Sequence, residues 1–126
     1  FDAIKSMAKT QLFDIVGHFD LIKLFRFLPK KDIRILANDA LKQIKKSGMV
    51  LEINPAGLRK PIGETYPSKQ LLELAYEMNI DITFGSDAHE IEQVGFKYDE
   101  VVSLAKEIGY TKCITFDNRE KIKIDF

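Results

Sequence analysis

The 126-residue chain contains no tryptophan and only one cysteine, Cys113. One cysteine cannot form a disulfide within the chain, which excludes a small secreted domain held together by disulfides. Cys113 lies inside an apolar run, where a thiol behaves as a small hydrophobic side chain. This cysteine usage favours a reducing compartment, and we expect a cytoplasmic protein.

Net charge and long apolar runs are also absent. The 19 Lys and Arg balance the 19 Asp and Glu, so no positive field calls for nucleic acid or an anionic membrane. No apolar run reaches transmembrane length, and no signal peptide is visible. We therefore expect neither nucleic acid nor a membrane as a partner. The chain begins at Phe1 without a Met, as a fragment would.

What the sequence does contain is an alternation of helical and strand-like patterns. Strands alternating with helices predict an α/β protein with a parallel sheet and right-handed crossovers. A turn at 117–118 precedes a terminal strand or tail at 121–126. The predicted helices cover about 1–10, 32–46, 68–79 and 98–108, and the predicted strands 13–17, 49–54, 80–84 and 112–116. Predicted buried positions of the second helix are Ile33, Leu36, Ala37, Ala40, Leu41 and Ile44.

The strand at 80–84 is followed by a turn pair, Gly85-Ser86, and then by Asp87 and His89. Ligands and catalytic groups collect at the carboxyl ends of strands in sheets flanked by helices. A carboxylate and an imidazole suit Zn, Mn or Fe better than Ca. An Asp beside a turn also commonly caps a helix, so this stretch alone leaves both interpretations open.

Three more polar side chains occupy comparable positions. His18 follows the first predicted strand, and Glu52 and Asn54 close the second. A single such His is more often a structural hydrogen-bonding residue. Because parallel strands place their carboxyl ends on one rim, His18, Asp87 and His89 together predict a site built across it.

The alternation of the second strand points Glu52 away from Leu51 and Ile53. Its carboxylate therefore faces either a barrel interior or the helix layer. In each of these environments a carboxylate needs an ion-pair partner or a hydrogen-bond donor. Asn54 shares the face of Glu52.

Arg59 lies in the loop Gly57-Leu-Arg-Lys-Pro61. A guanidinium presented at the rim is suited to clamping phosphate, which Arg binds through two parallel hydrogen bonds. The alternative is a solvated loop charge, and the residues alone favour that alternative.

Four segments together resemble the C-terminal half of a PHP-family histidinol-phosphatase. They are Gly17-His-Phe-Asp20, Leu51-Glu-Ile-Asn54, the loop 57–68 and Gly85-Ser-Asp-Ala-His89. The resemblance implies about four β/α units of a distorted, TIM-like (β/α)7 PHP barrel. Residues 1–126 would form a single partial PHP domain without the N-terminal half of the barrel. The implied reaction is hydrolysis of L-histidinol phosphate to L-histidinol and phosphate in histidine biosynthesis.

The resemblance also implies a cofactor and roles for individual residues. Up to three divalent ions, Zn, Mn or Fe, would activate water for attack on phosphorus. His18, Asp87 and His89 would be the catalytic metal ligands, and Arg59 would bind the substrate phosphate. Further substrate contacts would come from Glu52 and Asn54 and, with weaker alignment, from Lys23 and Arg26.

The chain departs from the family in lacking its first half. The His-x-His motif and further ligands of the family have no counterpart here, since the chain has only two His. We therefore expect the fragment alone to be inactive. Two alternatives remain: a PHP phosphoesterase or nuclease module of other specificity, and a non-catalytic half-barrel that acts as an interaction module.

A half-barrel has free strand edges, which recruit other strands. We expect self-association, or pairing with the N-terminal half of the same protein. Ile15, Leu51 or Ile53, and Phe84 are predicted to form an exposed apolar patch.

Overall fold

The computed structural model describes residues 1–25 and 28–126, in which helices and strands alternate as the sequence predicts. None of the described helices combines the length and the apolar character needed to cross a bilayer. The helices are α1 (Asp2–Lys9), α2 (Ile33–Ser47), α3 (Lys69–Glu77) and α4 (Tyr98–Ile108), with short 3₁₀ turns at Leu21–Phe25, Pro55–Arg59 and Ile91–Gln93. The strands are β1 (Ile15–Val16), β2 (Val50–Ile53), β3 (Ile82–Phe84), β4 (Lys112–Asp117) and β5 (Glu120–Asp125).

Strands β1, β2 and β3 form a parallel sheet in that order, which confirms the α/β fold with a parallel sheet. The prediction that the fourth strand joins this sheet is wrong. Strand β4 instead pairs antiparallel with β5. The two are joined by Asn118 and Arg119, which have φ of 46° and 68°. Two left-handed residues make the kind of tight turn that returns a strand onto its neighbour.

The core lies between the parallel sheet and the helices. Leu51 and Ile53 belong to it and are fully buried, so their predicted place in an exposed apolar patch is wrong. Phe84 is half-buried and packs edge-on against Tyr98 and Phe126. Of the predicted patch, Ile15 is exposed, at 41%. The helices cover one face of the sheet, and this is the face on which Leu51 and Ile53 lie.

The ends of α2 follow local sequence signals. The Asp32 carboxylate accepts a hydrogen bond from the Arg34 N–H at 2.9 Å, and Gly48 ends the helix with φ of 69°. Leu36 departs from the predicted buried stripe and is 43% exposed, because the helix presents Ala37, Ala40, Leu41 and Ile44 to the core.

The β4–β5 hairpin is tied to the amino-terminal ends of the parallel strands. Arg119 contacts the carboxylate of Asp14, just before β1, at 2.8 and 3.1 Å. Lys121 contacts Asp81, just before β3, at 2.9 Å. The polar residues at the carboxyl ends of the strands therefore lie at the opposite end of the sheet.

Candidate active site

Asp87 and His89 lie close together after β3. Asp87 has φ of 51°, a left-handed conformation that Asp tolerates better than most residues. Its Oδ1 is 3.9 Å from His89 Nδ1, and His89 Nδ1 is 2.8 Å from the Asp87 carbonyl oxygen. When Nδ1 carries the proton it donates to that carbonyl, which leaves the Nε2 lone pair of the exposed ring free to bind a ligand.

His18 lies at the end of β1, across β2 from that pair. Its N–H donates to Glu52 Oε2 at 2.9 Å. His18 is one of the residues that line a mainly apolar cleft of about 730 Å³, which neither Asp87 nor His89 lines. Within residues 1–25 and 28–126, no three His, Cys, Asp or Glu side chains are grouped so that they could hold a metal ion. The structure thus joins two of the predicted ligands and places the third at the end of β1, two strands away from β3.

Glu52 occupies the space between the ends of β1 and β3. Its Oε2 accepts hydrogen bonds from the His18 N–H and from Asn54 Nδ2, the latter at 3.1 Å. A Cβ at Gly85 would lie 2.1 Å from Glu52 Oε1, and one at Gly17 would lie 3.3 Å from Oε2. Glycine at these two positions therefore makes room for the carboxylate. Glu52 faces away from the helix-covered core, which decides between the two orientations that the sequence left open.

Asn54 is 1% exposed and uses both ends of its amide within the chain. Its Nδ2 donates to Glu52, and its Oδ1 accepts from the Ala56 N–H at 2.8 Å. Its main chain exchanges two hydrogen bonds with Tyr66. These contacts hold the loop that leads to Arg59.

Arg59 is not a solvated loop charge. Its two terminal nitrogens donate to the carbonyl oxygens of Ser86 and Asp87, at 3.1 and 2.6 Å. The guanidinium also lies over the ring of Phe96, 5.2 Å from the centroid. A guanidinium has five N–H donors, so two are used on the loop that carries Asp87 and three are left for an anion.

Lys23, a weaker candidate for phosphate binding, is buried at 6% exposure. Its ammonium lies 3.0 Å from Asp20 Oδ2 and 3.5 Å from Glu64, and donates to the Thr65 carbonyl at 2.6 Å. Its charge is thus compensated within the chain. Arg26, the other weaker candidate, lies outside the described residues.

Two buried residues beside the rim were missed by sequence reasoning. Asp20 and Tyr66 are 3% and 1% exposed. Burial raises the pKa of Tyr66, and the neighbouring carboxylates of Asp20, Asp87 and Glu64 raise this pKa further. Tyr66 exchanges main-chain hydrogen bonds with Asn54, and the ammonium of Lys23 lies 5.0 Å from the centre of its ring. The only sequence signal for Asp20 is its place as the last residue of Gly17-His-Phe-Asp20.

Comparison with known proteins gives consistent matches. Residues 69–108 match the family described as PHP-associated. The chain is 36% identical over 117 residues to a Deinococcus radiodurans protein named "Probable histidinol-phosphatase", covering 93% of this chain and 44% of that protein. It is 39% identical over 89 residues to the histidinol-phosphatase of Bacillus subtilis, covering 67% of this chain and 33% of that enzyme.

A solved structure agrees with these matches. A crystal structure from Listeria monocytogenes, described as a candidate histidinol phosphatase, superposes with a TM-score of 0.64 at 30% identity. The superposition covers 79% of this chain and 41% of that one. The chain therefore spans less than half the length of these relatives. The resemblance predicted from the motifs is confirmed: the chain is similar over most of its length to part of the PHP-type histidinol-phosphatases.

Proposed function

We propose that the chain is the C-terminal part of a PHP-type histidinol-phosphatase, which hydrolyses L-histidinol phosphate to L-histidinol and phosphate in histidine biosynthesis. The observation that carries this proposal is the pairing of Asp87 and His89 at the carboxyl end of β3. It lies within a chain whose relatives are named for that activity.

The side chains at the rim suit part of a metal centre. Carboxylate and imidazole together favour Zn, Mn or Fe. A catalytic zinc takes three protein ligands, and the described residues bring two together, so His18 and residues outside this chain would complete a site for up to three ions. A divalent ion bound there supplies Lewis acidity, which polarises a phosphoryl oxygen and favours loss of a proton from water.

The role that we assign to Arg59 is to bind the phosphate of the substrate. Its contacts with the Ser86 and Asp87 carbonyls place a fixed positive charge on the same loop as the metal-ligating pair. Three remaining N–H donors can grip two phosphate oxygens and stabilise the charge that develops on them. Lys23 and Arg26 are secondary candidates, and the ammonium of Lys23 already has carboxylate partners.

We also propose that the three parallel strands are part of a distorted (β/α)7 barrel. One face of the sheet is packed against helices, and the other carries Glu52, as the inner face of a barrel would. Strand β1 forms one edge of the sheet formed by the described residues. The portion of the relatives that this chain does not match would continue the barrel beside β1.

One observation favours a second function for the chain taken alone. Because the described residues do not group three metal-binding side chains, the fragment could act as a non-catalytic half-barrel that binds another part of the same protein.

A chimera tests the proposed activity. This chain replaces the matching part of the Deinococcus radiodurans relative, and phosphate release from L-histidinol phosphate is measured with Zn²⁺ or Mn²⁺. We expect turnover by the chimera and its loss in Asp87→Asn. The matched control is Asp39→Asn, which removes an exposed carboxylate on α2. A folded chimera that ignores L-histidinol phosphate but cleaves other phosphate esters or an oligonucleotide would contradict the assigned substrate.

A further inference from the structure

Asp20 joins the segment after β1 to the start of α3. Its Oδ2 accepts a hydrogen bond from the Ser68 N–H at 3.0 Å and lies 3.0 Å from Lys23 Nζ. Ser68 precedes the first residue of α3, and its side chain makes no capping hydrogen bond. The carboxylate of Asp20, at 3% exposure, instead lies beside this helix start, where negative charge is favoured.

Lys23 attaches the same segment a second time. It donates to the carbonyl of Thr65, in the loop that precedes α3, and its ammonium lies 5.0 Å from the centre of the Tyr66 ring. The segment from Asp20 to Lys23 is therefore fixed to this loop by a buried carboxylate and a buried ammonium.

This arrangement is poorly suited to adding stability alone. Among the described residues, Asp20 Oδ1 and the Tyr66 hydroxyl are both buried and have no hydrogen-bond partner. A buried polar atom without a partner costs free energy, and buried ion pairs can often be replaced by apolar side chains without loss. We infer that the buried Asp20 carboxylate fixes one conformation of the chain after β1, although its burial costs free energy.

The residue whose conformation is fixed is His18. Its φ of 30° is unfavourable for a residue other than glycine, and such a backbone persists only where its surroundings enforce it. Glu52 holds the N–H of His18 on one side. Asp20, two residues later, anchors the chain on the other side.

We propose that Asp20 is a positioning residue, which holds His18 in the orientation that the rim site needs. Only the purpose of this orientation, metal binding by His18, rests on the proposed function. The effect of Asp20 on the conformation of His18 can be measured without metal or substrate. Lys23 acts with Asp20 as its buried counter-charge.

The test uses the 126-residue chain labelled at histidine. Because the chain has only two His, its ring Cε1–H signals in an NMR spectrum belong to His18 and His89, and His89 is an internal control. In Asp20→Asn we expect the His18 signal to shift or broaden and its amide to exchange faster, while the His89 signal stays in place. Asp39→Asn, which makes the same charge change at an exposed site, should leave both signals unchanged.

Zn²⁺ provides a second readout. Residues that orient a metal ligand typically contribute about tenfold to a hundredfold in metal affinity, so His18 in Asp20→Asn should need at least about tenfold more Zn²⁺ to respond. If neither His responds to Zn²⁺ in the unsubstituted chain, the metal part of the proposed function fails, but the metal-free effect on His18 still decides the role of Asp20.

A lower melting temperature of Asp20→Asn with an unchanged His18 signal would overturn the proposal, because Asp20 would then be merely structural. If Asp20→Asn does not fold, Lys23→Met is the second variant, since it removes the partner that holds Asp20 in place. An undisturbed His18 signal in folded Lys23→Met would overturn the proposal equally.

Discussion

At the scale of single residues, Arg59 connects the proposed phosphate-binding group to the loop that carries the proposed metal ligands Asp87 and His89. The sequence placed it in a rim loop, and the structure shows it bound to the carbonyls of Ser86 and Asp87. A side chain held in this way presents its remaining donors in a fixed direction, which lowers the entropy lost when an anion binds.

Arg59→Ala in the chimera should raise the KM for L-histidinol phosphate and leave the metal content unchanged. One charged hydrogen bond is worth about 1.5–3 kcal/mol, which corresponds to a change of about tenfold to somewhat over a hundredfold. Arg59→Lys is the control that keeps the charge but loses the paired donors.

Steady-state kinetics and metal analysis separate the possible outcomes. Unchanged kinetics would show that Arg59 does not bind the substrate phosphate. A loss of bound metal would mean that its contacts with the loop of Asp87 outweigh any contact with phosphate.

The positions of the candidate site residues were predictable from the sequence only where their place along a strand sufficed. Strand ends alone placed Asp87, His89 and His18 on one rim. The burial of Asp20 and Tyr66 depends on loops that meet after folding, and neither lies in a periodic pattern that would reveal it. The contacts of Lys23 with Glu64 and Thr65 could not be predicted either, because they also join loops that are distant in sequence.

At the scale of elements, α2 offers a direct comparison of two leucines on one helix. Leu41→Ala should lower the free energy of unfolding by about 2–5 kcal/mol, because it leaves a cavity in the core. Leu41 is fully buried, whereas Leu36 is 43% exposed. We expect Leu36→Ala to cost clearly less in urea unfolding. Equal losses would show that Leu36 is buried, as the helical pattern had predicted.

The start of α2 predicts a dependence of stability on pH. Hydrogen bonds from the side chain and the N–H of Arg34 lower the pKa of Asp32. A carboxyl group with a lowered folded-state pKa stabilises the fold above its unfolded-state pKa, near 4. That contribution is lost as the pH falls through the folded-state pKa.

Urea midpoints of Asp32→Asn and of the unsubstituted chain should therefore differ at pH 7 and converge in acid. Asp39→Asn on the same helix is the control. A constant difference from pH 7 to pH 3 would contradict the assigned role of the Asp32 charge.

Elements with local signals were predicted well, and those that depend on distant partners were not. Asp32 and Gly48 mark α2 in the sequence as they do in the structure. The pairing partner of β4 could not be read from its apolar pattern, since a strand next to β3 and a strand in a hairpin look alike. The turn predicted at 117–118 is a local signal for a hairpin. The alternation of helices and strands nevertheless favoured placing the fourth strand in the parallel sheet.

At the scale of the whole molecule, the exposed apolar surface shares Ile15 with the predicted patch but otherwise lies around α1 and α2. The cleft of about 730 Å³ is bordered by α1, by β1 and by the chain before and within α2. Exposed apolar side chains near it include Phe13, Ile22 and Leu28. A surface of this kind, next to the edge strand β1, favours association.

The sequence predicted the α/β class and the parallel sheet but not how the chain covers its own core. Helix packing on one sheet face follows from patterns within the chain, as Leu51 and Ile53 show. In the proposed half-barrel, the β1 edge and its cleft would be covered by another part of the protein, and no pattern within these residues encodes that contact.

The central structural claim is that this chain is an incomplete barrel that needs another part beside β1. Light scattering at micromolar concentration tests it, with the chain alone and mixed with the unmatched portion of the Deinococcus radiodurans relative. We expect a mass above 14.4 kDa for the chain alone and a one-to-one complex in the mixture. A 14.4 kDa monomer that melts cooperatively and ignores the added portion would contradict the claim.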